Sequence, residues 1–400
     1  NKLDDEYEIV VAYSLRNQTP ENFKKYFNSN IKFIKVDDFE RNINLSKDLR
    51  ALKSIKNIIE KEKPDIIHLH SSKAGVLGRL AISGKKVKML YNPHGFSFLK
   101  LDEPKIKRLS YWLIEKMMAV INPKCTIEGC SKGEYEEALK LSKNSIQIDN
   151  GIDIFKIEKI LKGLKDTDVD FNKLKVCTIG RIGYQKNPQM FNEIAEKFST
   201  IEFTWIGDGE LKDKLQSNNI KITGWKSRDE VLKILNNNNI FILTSLWEGL
   251  PISLLEAMYM KKICIVTNVV GNRDVVEDKK NGFICNSTEE FVKVIDDIKN
   301  RRYDFEKILQ NAYSDVNNKY NTKIMCEKYV REYELRKSWY WEIMMKKVGI
   351  VSCYFKDNYG SMLQAYATKK ILDKNEIPNE TINIKYNKDF KNQGGYHGRI

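Results

Sequence analysis

Along the first 150 residues, short apolar runs alternate with stretches in which apolar positions recur every three or four residues. The runs are 8–13, 31–36, 64–70, 87–91, 127–130 and 146–148, and the helical patterns that stand out are 47–61 and 106–121. Because the runs are apolar throughout rather than alternating, they predict strands of a parallel sheet buried on both faces, with helices as crossovers. Asp149-Asn150-Gly151 is a turn signal that closes the series. Residues 152–170 are polar and rich in Lys and Asp, and the rhythm then restarts with strands at 176–179, 202–206, 220–223, 240–244 and 263–267, with 283–285 as a short addition. Two Rossmann-like α/β halves joined by a linker are expected, with a ligand in the cleft at the strand carboxyl ends. Residues 304–341 read as a long closing helix or helix pair, and after them a fresh strand at 348–355, a loop to 360 and a helix at 361–373 begin. The resulting division is 1–151, 152–325, 326–343 and 344–400.

Composition narrows the class. With 42% hydrophobic and 30% charged residues and 8 prolines, collagen-like, mucin-like and wholly disordered chains are excluded. Length alone predicts two or three domains, each able to bury a core. The excess of 68 Lys and Arg over 54 Asp and Glu leaves +14, which favours anionic partners, yet the cations are scattered through a chain generally rich in Lys, Asn and Ile. A nucleic-acid-binding protein would gather them on one face among aromatics, so no nucleic-acid partner is expected. Seven cysteines without a C-x-x-C pair indicate neither a disulfide framework nor a zinc site, and a cytoplasmic setting is expected. No apolar run reaches the ~18 residues needed to cross a bilayer; the best, 111–121, is interrupted by Glu115 and Lys116. The chain opens on Asn1-Lys2-Leu3 without Met or an apolar signal, which reads as a missing start rather than an export signal.

Chemistry concentrates at predicted strand ends. Directly after the run 240–244 stands Leu246-Trp247-Glu248-Gly249-Leu250-Pro251, followed by a helical pattern carrying Glu256. Pro251 marks a helix start, which leaves the amides of Gly249 and Leu250 free to face an anion at the positive end of the helix. Glu248 and Glu256, two helical turns apart if the helix begins early, are expected to look toward one cleft and accept hydroxyl hydrogens from a sugar and a ribose. After 176–179 comes Gly180-Arg181-Ile182-Gly183-Tyr184-Gln185-Lys186, where two cations across a glycine-bearing turn are placed to reach one diphosphate. This is not G-x-G-x-x-G, which counts against a nicotinamide-dependent oxidoreductase, the main rival enzyme class. Of the four histidines, His68, His70 and His94 fall at strand ends of the first half; His68 reads as a core residue, while His70 and His94 are expected past the strands, where loops carry ligands. Asp168 and Asp170, in the linker without His or Cys nearby, make a poor metal site.

Taken together, residues 1–340 resemble the GT-B glycosyltransferases, specifically the large retaining family 4. The resemblance rests on Asn150-Gly151-Ile152-Asp153, Gly180-Arg181 with Lys186, Gly207-Asp208-Gly209-Glu210-Leu211, Thr223-Gly224-Trp225 and the Glu248 to Glu256 element, in that order. His70-Ser71-Ser72-Lys73-Ala74-Gly75 with Pro93-His94-Gly95 resembles the branch that builds bacterial surface polysaccharides. The resemblance implies two Rossmann-like domains facing across a cleft. It places Arg181 and Lys186, with the Gly249 and Leu250 amides, on the diphosphate of a nucleotide sugar, a uridine-linked one being expected. It places Glu256 on the ribose, Gly224 beside the base, Glu248 and His94 near the transferred sugar as the catalytic pair, and His70, Ser71 and Lys73 on the acceptor side.

The implied reaction is transfer to a polyprenyl-diphosphate-linked or oligosaccharide acceptor in capsule, exopolysaccharide or O-antigen synthesis, with no cofactor and no metal, by same-face attack assisted by the leaving phosphate. Cations along 105–116, with Leu109, Trp112, Leu113 and Met117, predict peripheral contact with an anionic membrane. Against the family pattern, the chain starts at what looks like the second strand. Residues 345–400 resemble instead the start of a polysaccharide pyruvyl transferase, including Asn358-Tyr359-Gly360-Ser361. The tail is read as the partial start of a separate unit; the alternative is that its strand joins the first sheet at a vacant edge.

Overall fold

The computed structural model describes residues 7–15, 23–40, 43–82, 84, 87–163, 171, 173–334 and 346–352. The Asp168–Asp170 pair, the loop to 360 and the helix expected at 361–373 lie outside them. The first half comprises strands β1 (Tyr7–Tyr13), β2 (Lys32–Lys35), β3 (Ile66–His70), β4 (Lys88–Asn92), β5 (Cys125–Gly129) and β6 (Ser145–Gln147). Helices α1 (Leu45–Glu62), α2 (Ser72–Ile82), α3 (Lys105–Ile121) and α4 (Lys132–Leu141) connect them. The second half runs α5 (Ile154–Leu161), β7 (Lys175–Ile179), α6 (Pro188–Glu196), β8 (Glu202–Ile206), β9 (Ile220–Ile222), α7 (Arg228–Asn236), β10 (Ile240–Leu243), α8 (Ile252–Tyr259), β11 (Ile263–Thr267), β12 (Phe283–Cys285) and α9 (Thr288–Lys299). The chain continues through α10 (Phe305–Lys319), α11 (Thr322–Glu334) and β13 (Lys346–Ser352).

Local chemistry explains these elements. In α1 the side chain of Asn44 accepts the Lys47 amide at 3.2 Å, Ala51, Ile55 and Ile59 form the buried stripe, and Lys63 leaves the helix in a left-handed turn. Helix α7 opens on a reciprocal capping box between Ser227 and Glu230. Strands β10 and β11 are buried at every position, as a two-sided parallel sheet requires. The stretch 152–170, expected as linker, begins instead with α5. Asp153 caps it through the Lys156 amide at 3.1 Å, and Ile157 with its neighbours Ile154, Ile160 and Leu161 packs on the second core. The Lys-rich surroundings hid a helix of only two turns.

Both sheets are parallel, with strand orders β2-β1-β13-β3-β4-β5-β6 and β12-β11-β10-β7-β8-β9. The strand from the tail does not stand apart, nor does it take an edge. It lies inside the first sheet, paired with β1 from Tyr7↔Lys346 to Tyr13↔Ser352 and with β3 from Val348↔Ile66 to Ser352↔His70. The chain reaches it by crossing back between the halves: Ile152 donates to the Tyr320 carbonyl at 2.9 Å and accepts the Thr322 amide at 3.0 Å. Helix α11 then lays Met325, Cys326, Tyr329 and Tyr333 onto a core with Tyr7, Ile9, Val11, Ile66 and Leu90.

Candidate functional site

At the carboxyl end of β7, Gly180 turns the chain at φ 152°, and a Cβ there would meet the Lys186 stem at 2.9 Å; only glycine lets the lysine fold back over the turn. Lys186 Nζ reaches Glu248 Oε1 at 2.6 Å, and the Ser245 hydroxyl donates to the same oxygen at 2.6 Å. Arg181 forks onto Glu210 with two hydrogen bonds of 2.9 and 2.8 Å. Both cations thus hold carboxylates at the positions expected for a diphosphate. Helix α8 starts at Ile252, so the early helix start is corrected and Glu248 belongs to the preceding loop rather than to the helix that carries Glu256. Pro251 fixes that boundary as the residue just before the first turn. Glu256, on the helix, is buried against Arg228 at 2.6 Å; burial pushes its carboxyl up while Arg228 and Lys156 oppose the shift. Among the described residues the Gly249 and Leu250 amides donate to no carbonyl or side chain.

The loop at Gly249 touches the first half. A Cβ on Gly249 would lie 3.1 Å from Cys130 Sγ, 3.3 Å from the Gly95 nitrogen and 3.5 Å from the His94 carbonyl carbon. Beneath it Gly271, at φ 85°, leaves room for the Gly249 carbonyl, which a Cβ would meet at 2.3 Å. Asn150 clamps the contact by donating to the Leu250 carbonyl at 2.8 Å, and Asp274 accepts both the Gly133 amide at 2.9 Å and the Gly271 amide at 3.0 Å. Glu248 and His94, some 150 positions apart in the chain, are therefore carried by loops in contact.

On the first half, His70 is the last residue of β3 and buried, not past the strand as expected. Its Nδ1 lies 2.8 Å from His94 Nε2, the two rings stack at 5.0 Å, and His68 stacks beneath at 4.1 Å. Burial lowers all three imidazoles, His68 to about 3; a charge on His68 lowers His70 further, and charges on His70 and His68 lower His94 further. Ser71, at φ 90°, turns β3 into α2 and accepts the Ala74 amide at 3.4 Å. Lys73 is turned to the neighbouring α1, 2.5 Å from Asp48, with its Nζ also on the Glu40 carbonyl. Gly224 follows β9 in a left-handed turn at φ 70°, beside half-exposed Trp225. Sequence reasoning missed the partners: Glu210, Arg228, Asn92, Glu128, Glu134, Asp274, Tyr329 and Tyr333. Only Glu210 carried a signal, its place in the Gly207 to Leu211 motif.

Helix α3 exposes Ile106, Leu109, Leu113, Met117 and Val120 in one stripe. Trp112, expected there, packs instead on the first core, and Lys116 donates to the Lys140 and Leu141 carbonyls that end α4. Among the described residues no helix is long and apolar enough to cross a membrane.

Comparison with known proteins agrees with this architecture. Residues 164–315 match the family model of glycosyl transferases group 1, and residues 1–123 that of glycosyl transferase 4-like proteins. Over 308 residues the chain is 34% identical to UDP-Gal:alpha-D-GlcNAc-diphosphoundecaprenol alpha-1,3-galactosyltransferase of Escherichia coli, covering 68% of this chain and 75% of that protein. It is 26% identical over 326 residues to the capsular polysaccharide biosynthesis glycosyltransferase CapM of Staphylococcus aureus, with 73% and 82% covered. Among solved structures, HepE of Anabaena with UDP and glucose superposes with a TM-score of 0.61 at 14% identity over 80% of this chain and 98% of that one. Sucrose-phosphate synthase of Thermosynechococcus elongatus does so at 0.66 and 12%, with 82% and 98% covered. The two parallel sheets form a GT-B fold, and the chain, also 24% identical over 265 residues to the O-antigen biosynthesis glycosyltransferase WbnH of Escherichia coli, with 64% and 74% covered, belongs to the glycosyl transferases group 1 family as a glycosyltransferase related to enzymes of bacterial capsule and O-antigen synthesis.

Proposed function

We propose that this glycosyltransferase moves a hexose, galactose first among candidates, from a UDP-linked donor with retention of configuration to a sugar carried on a polyprenyl diphosphate. The observation that carries the reading is the contact of the Glu248–Gly249 loop with the His94–Gly95 loop, which joins the cations of the second sheet to the histidines of the first. The galactosyltransferase relative supports the choice of donor and acceptor. In this reading an entering diphosphate takes the places of Glu248 on Lys186 and of Glu210 on Arg181, with the Gly249 and Leu250 amides completing the cradle. Arg181 and Lys186 then stabilise charge growing on the leaving group, an electrostatic contribution of several kcal/mol that needs no metal. Glu256, positioned by Arg228, takes the ribose hydroxyls near Gly224. Glu248, released from Lys186, and neutral His94 hydrogen-bond the transferred sugar, while His70, Ser71 and Lys73 border the acceptor. The leaving phosphate assists attack from its own face.

The lipid-linked acceptor also gives a use to the exposed stripe of α3, flanked by Lys105, Lys107 and Arg108: peripheral contact with the anionic inner face of a membrane. The test is transfer from UDP-[³H]galactose to a short-chain analogue of GlcNAc-diphosphoundecaprenol, with UDP-glucose and GDP-mannose as controls and a chelator in parallel. An α-linked product formed in the chelator is expected. A β-linked product overturns retention, activity restored only by manganese overturns the metal-free scheme, and protection from unfolding by GDP but not UDP overturns the donor.

A further inference from the structure

Behind His94 lies a cluster of buried polar side chains that, among the described residues, make no hydrogen bond to Arg181 or Lys186. Strands β3, β4 and β5 end side by side there, with His70 paired to Asn92 in register. Asn92, fully buried, accepts the His94 amide on Oδ1 at 2.9 Å and donates Nδ2 to Glu128 Oε1 at 2.6 Å. Glu128 also accepts the Tyr329 hydroxyl, and its second oxygen lies 3.2 Å from His68 Nε2, whose Nδ1 is 2.9 Å from the Tyr333 hydroxyl. A second buried carboxylate, Glu134 on α4, accepts the Gly95 amide at 2.5 Å and the Cys130 amide at 2.9 Å.

His94 itself is left-handed at φ 51°, a conformation a residue with a Cβ adopts at a cost of about 1 kcal/mol or more and keeps only where its surroundings over-determine it. Two consecutive amides, His94 and Gly95, are each held by a buried side chain that has nothing else in the loop to bind. Apolar residues would fill the same space at lower cost, because burying a carboxylate is expensive. That cost is visible in the direction of both groups: burial raises the Glu128 and Glu134 carboxyls.

We propose that Asn92, anchored by Glu128, and Glu134 are positioning residues that hold His94 in its left-handed turn, ring against His70, as glycosyl transfer requires. The proposal rests on His94 lying beside the transferred sugar. Its donor-side consequence is definite, since none of these residues touches the second sheet's cations: kcat changes and nucleotide binding does not. The test measures kcat, donor KM, UDP affinity and melting temperature for Asn92→Ala, Asn92→Asp, Glu134→Gln and Glu128→Gln, each also in a His94→Ala background. Glutamine at 134 has one carbonyl oxygen and cannot serve both amides, whereas glutamine at 128 still accepts from Asn92 and Tyr329. Asn92→Ala and Glu134→Gln are expected to lower kcat between about 10- and 100-fold, the scale of a misplaced group, with UDP affinity unchanged. Glu128→Gln is expected to stay near wild type, and every loss is expected to vanish once His94 is alanine. If Asn92→Ala does not fold, Glu134→Gln decides, because Asn92→Asp keeps an oxygen that accepts the His94 amide and is expected to stay closer to wild type. Folded variants with undiminished kcat, or losses that persist in the His94→Ala background, overturn the proposal. Full turnover by His94→Ala alone overturns instead the role given to His94.

Discussion

The two sheets of this enzyme are assembled differently. All six strands of the second come from one stretch, Lys175 to Cys285, and its centre is apolar: Phe241, Ile242, Leu254, Ile265 and Phe283 are fully buried. The first takes an inner strand from residues 346–352, more than 270 positions beyond its next latest neighbour β3, and sinks His68, Asn92, Glu128 and Glu134 among its apolar side chains. A contiguous sheet depends on local closures, whereas the interrupted one depends on α11 returning and on pairing of distant segments, which chain entropy opposes. The second half is thus expected to be the autonomous part of the molecule and the first the conditional one.

Removing β13 breaks the contrast most severely. A chain ended after Glu334 leaves β1 and β3 without their shared partner; the first half is expected to be digested by protease and transfer lost completely, while UDP still protects the second half. Ile350→Pro, which deletes one ladder amide, is expected to act the same way in milder form. Equal loss of both halves would erase the distinction. Next in size is Phe241→Ala in the second core, expected to cost about 3–5 kcal/mol by denaturant titration, with UDP binding lost at the same midpoint.

Lys186→Ala sharpens the comparison at the cleft. It removes a cation held by Glu248 and is expected to weaken UDP binding by roughly 10-fold or more in calorimetry, a charge-assisted contact of about 1.5–3 kcal/mol. The histidines of the first half are predicted to keep their titration unchanged by NMR. The most gradual effect is a pH slope. Burial raises the Glu128 carboxyl to about 8 from 4.5, so the folded state keeps a proton that the unfolded chain releases, and this contribution to stability declines as pH rises from about 4.5 to about 8. His68, lowered to about 3 from 6.5, has the opposite sign and loses its contribution as pH falls through that window. Glu128→Gln is expected to remove the first slope and leave the second, read as melting temperature between about pH 5 and 8.5.

The legible part of the site was the part carried by chain-local chemistry. Gly180, Arg181 and Lys186 share one turn and Glu248 to Pro251 one strand-to-helix loop, so spacing announced them as candidates, whereas Ser71 entered only through the family resemblance. Illegible were the pairings. Glu210 on Arg181 joins positions 29 apart, Asn150 on the Leu250 carbonyl 100 apart, and Tyr329 on Glu128 201 apart. Helix α5 escaped notice because its apolar stripe is only four residues, and His70 was misjudged because a strand's last position cannot be told from the first of its loop by pattern.

Periodicity and turn chemistry were enough to specify two parallel α/β halves, because strand burial on two faces and helix amphipathicity are written in consecutive residues. They could not choose which strand neighbours which. The place of 346–352 between β1 and β3 follows from backbone hydrogen bonding, which is blind to side-chain identity and is satisfied by any strand delivered to the gap in the right direction and register. Nor could they pair the charges, since an ion pair is fixed by where two distant loops meet, and that meeting exists only once both sheets are packed.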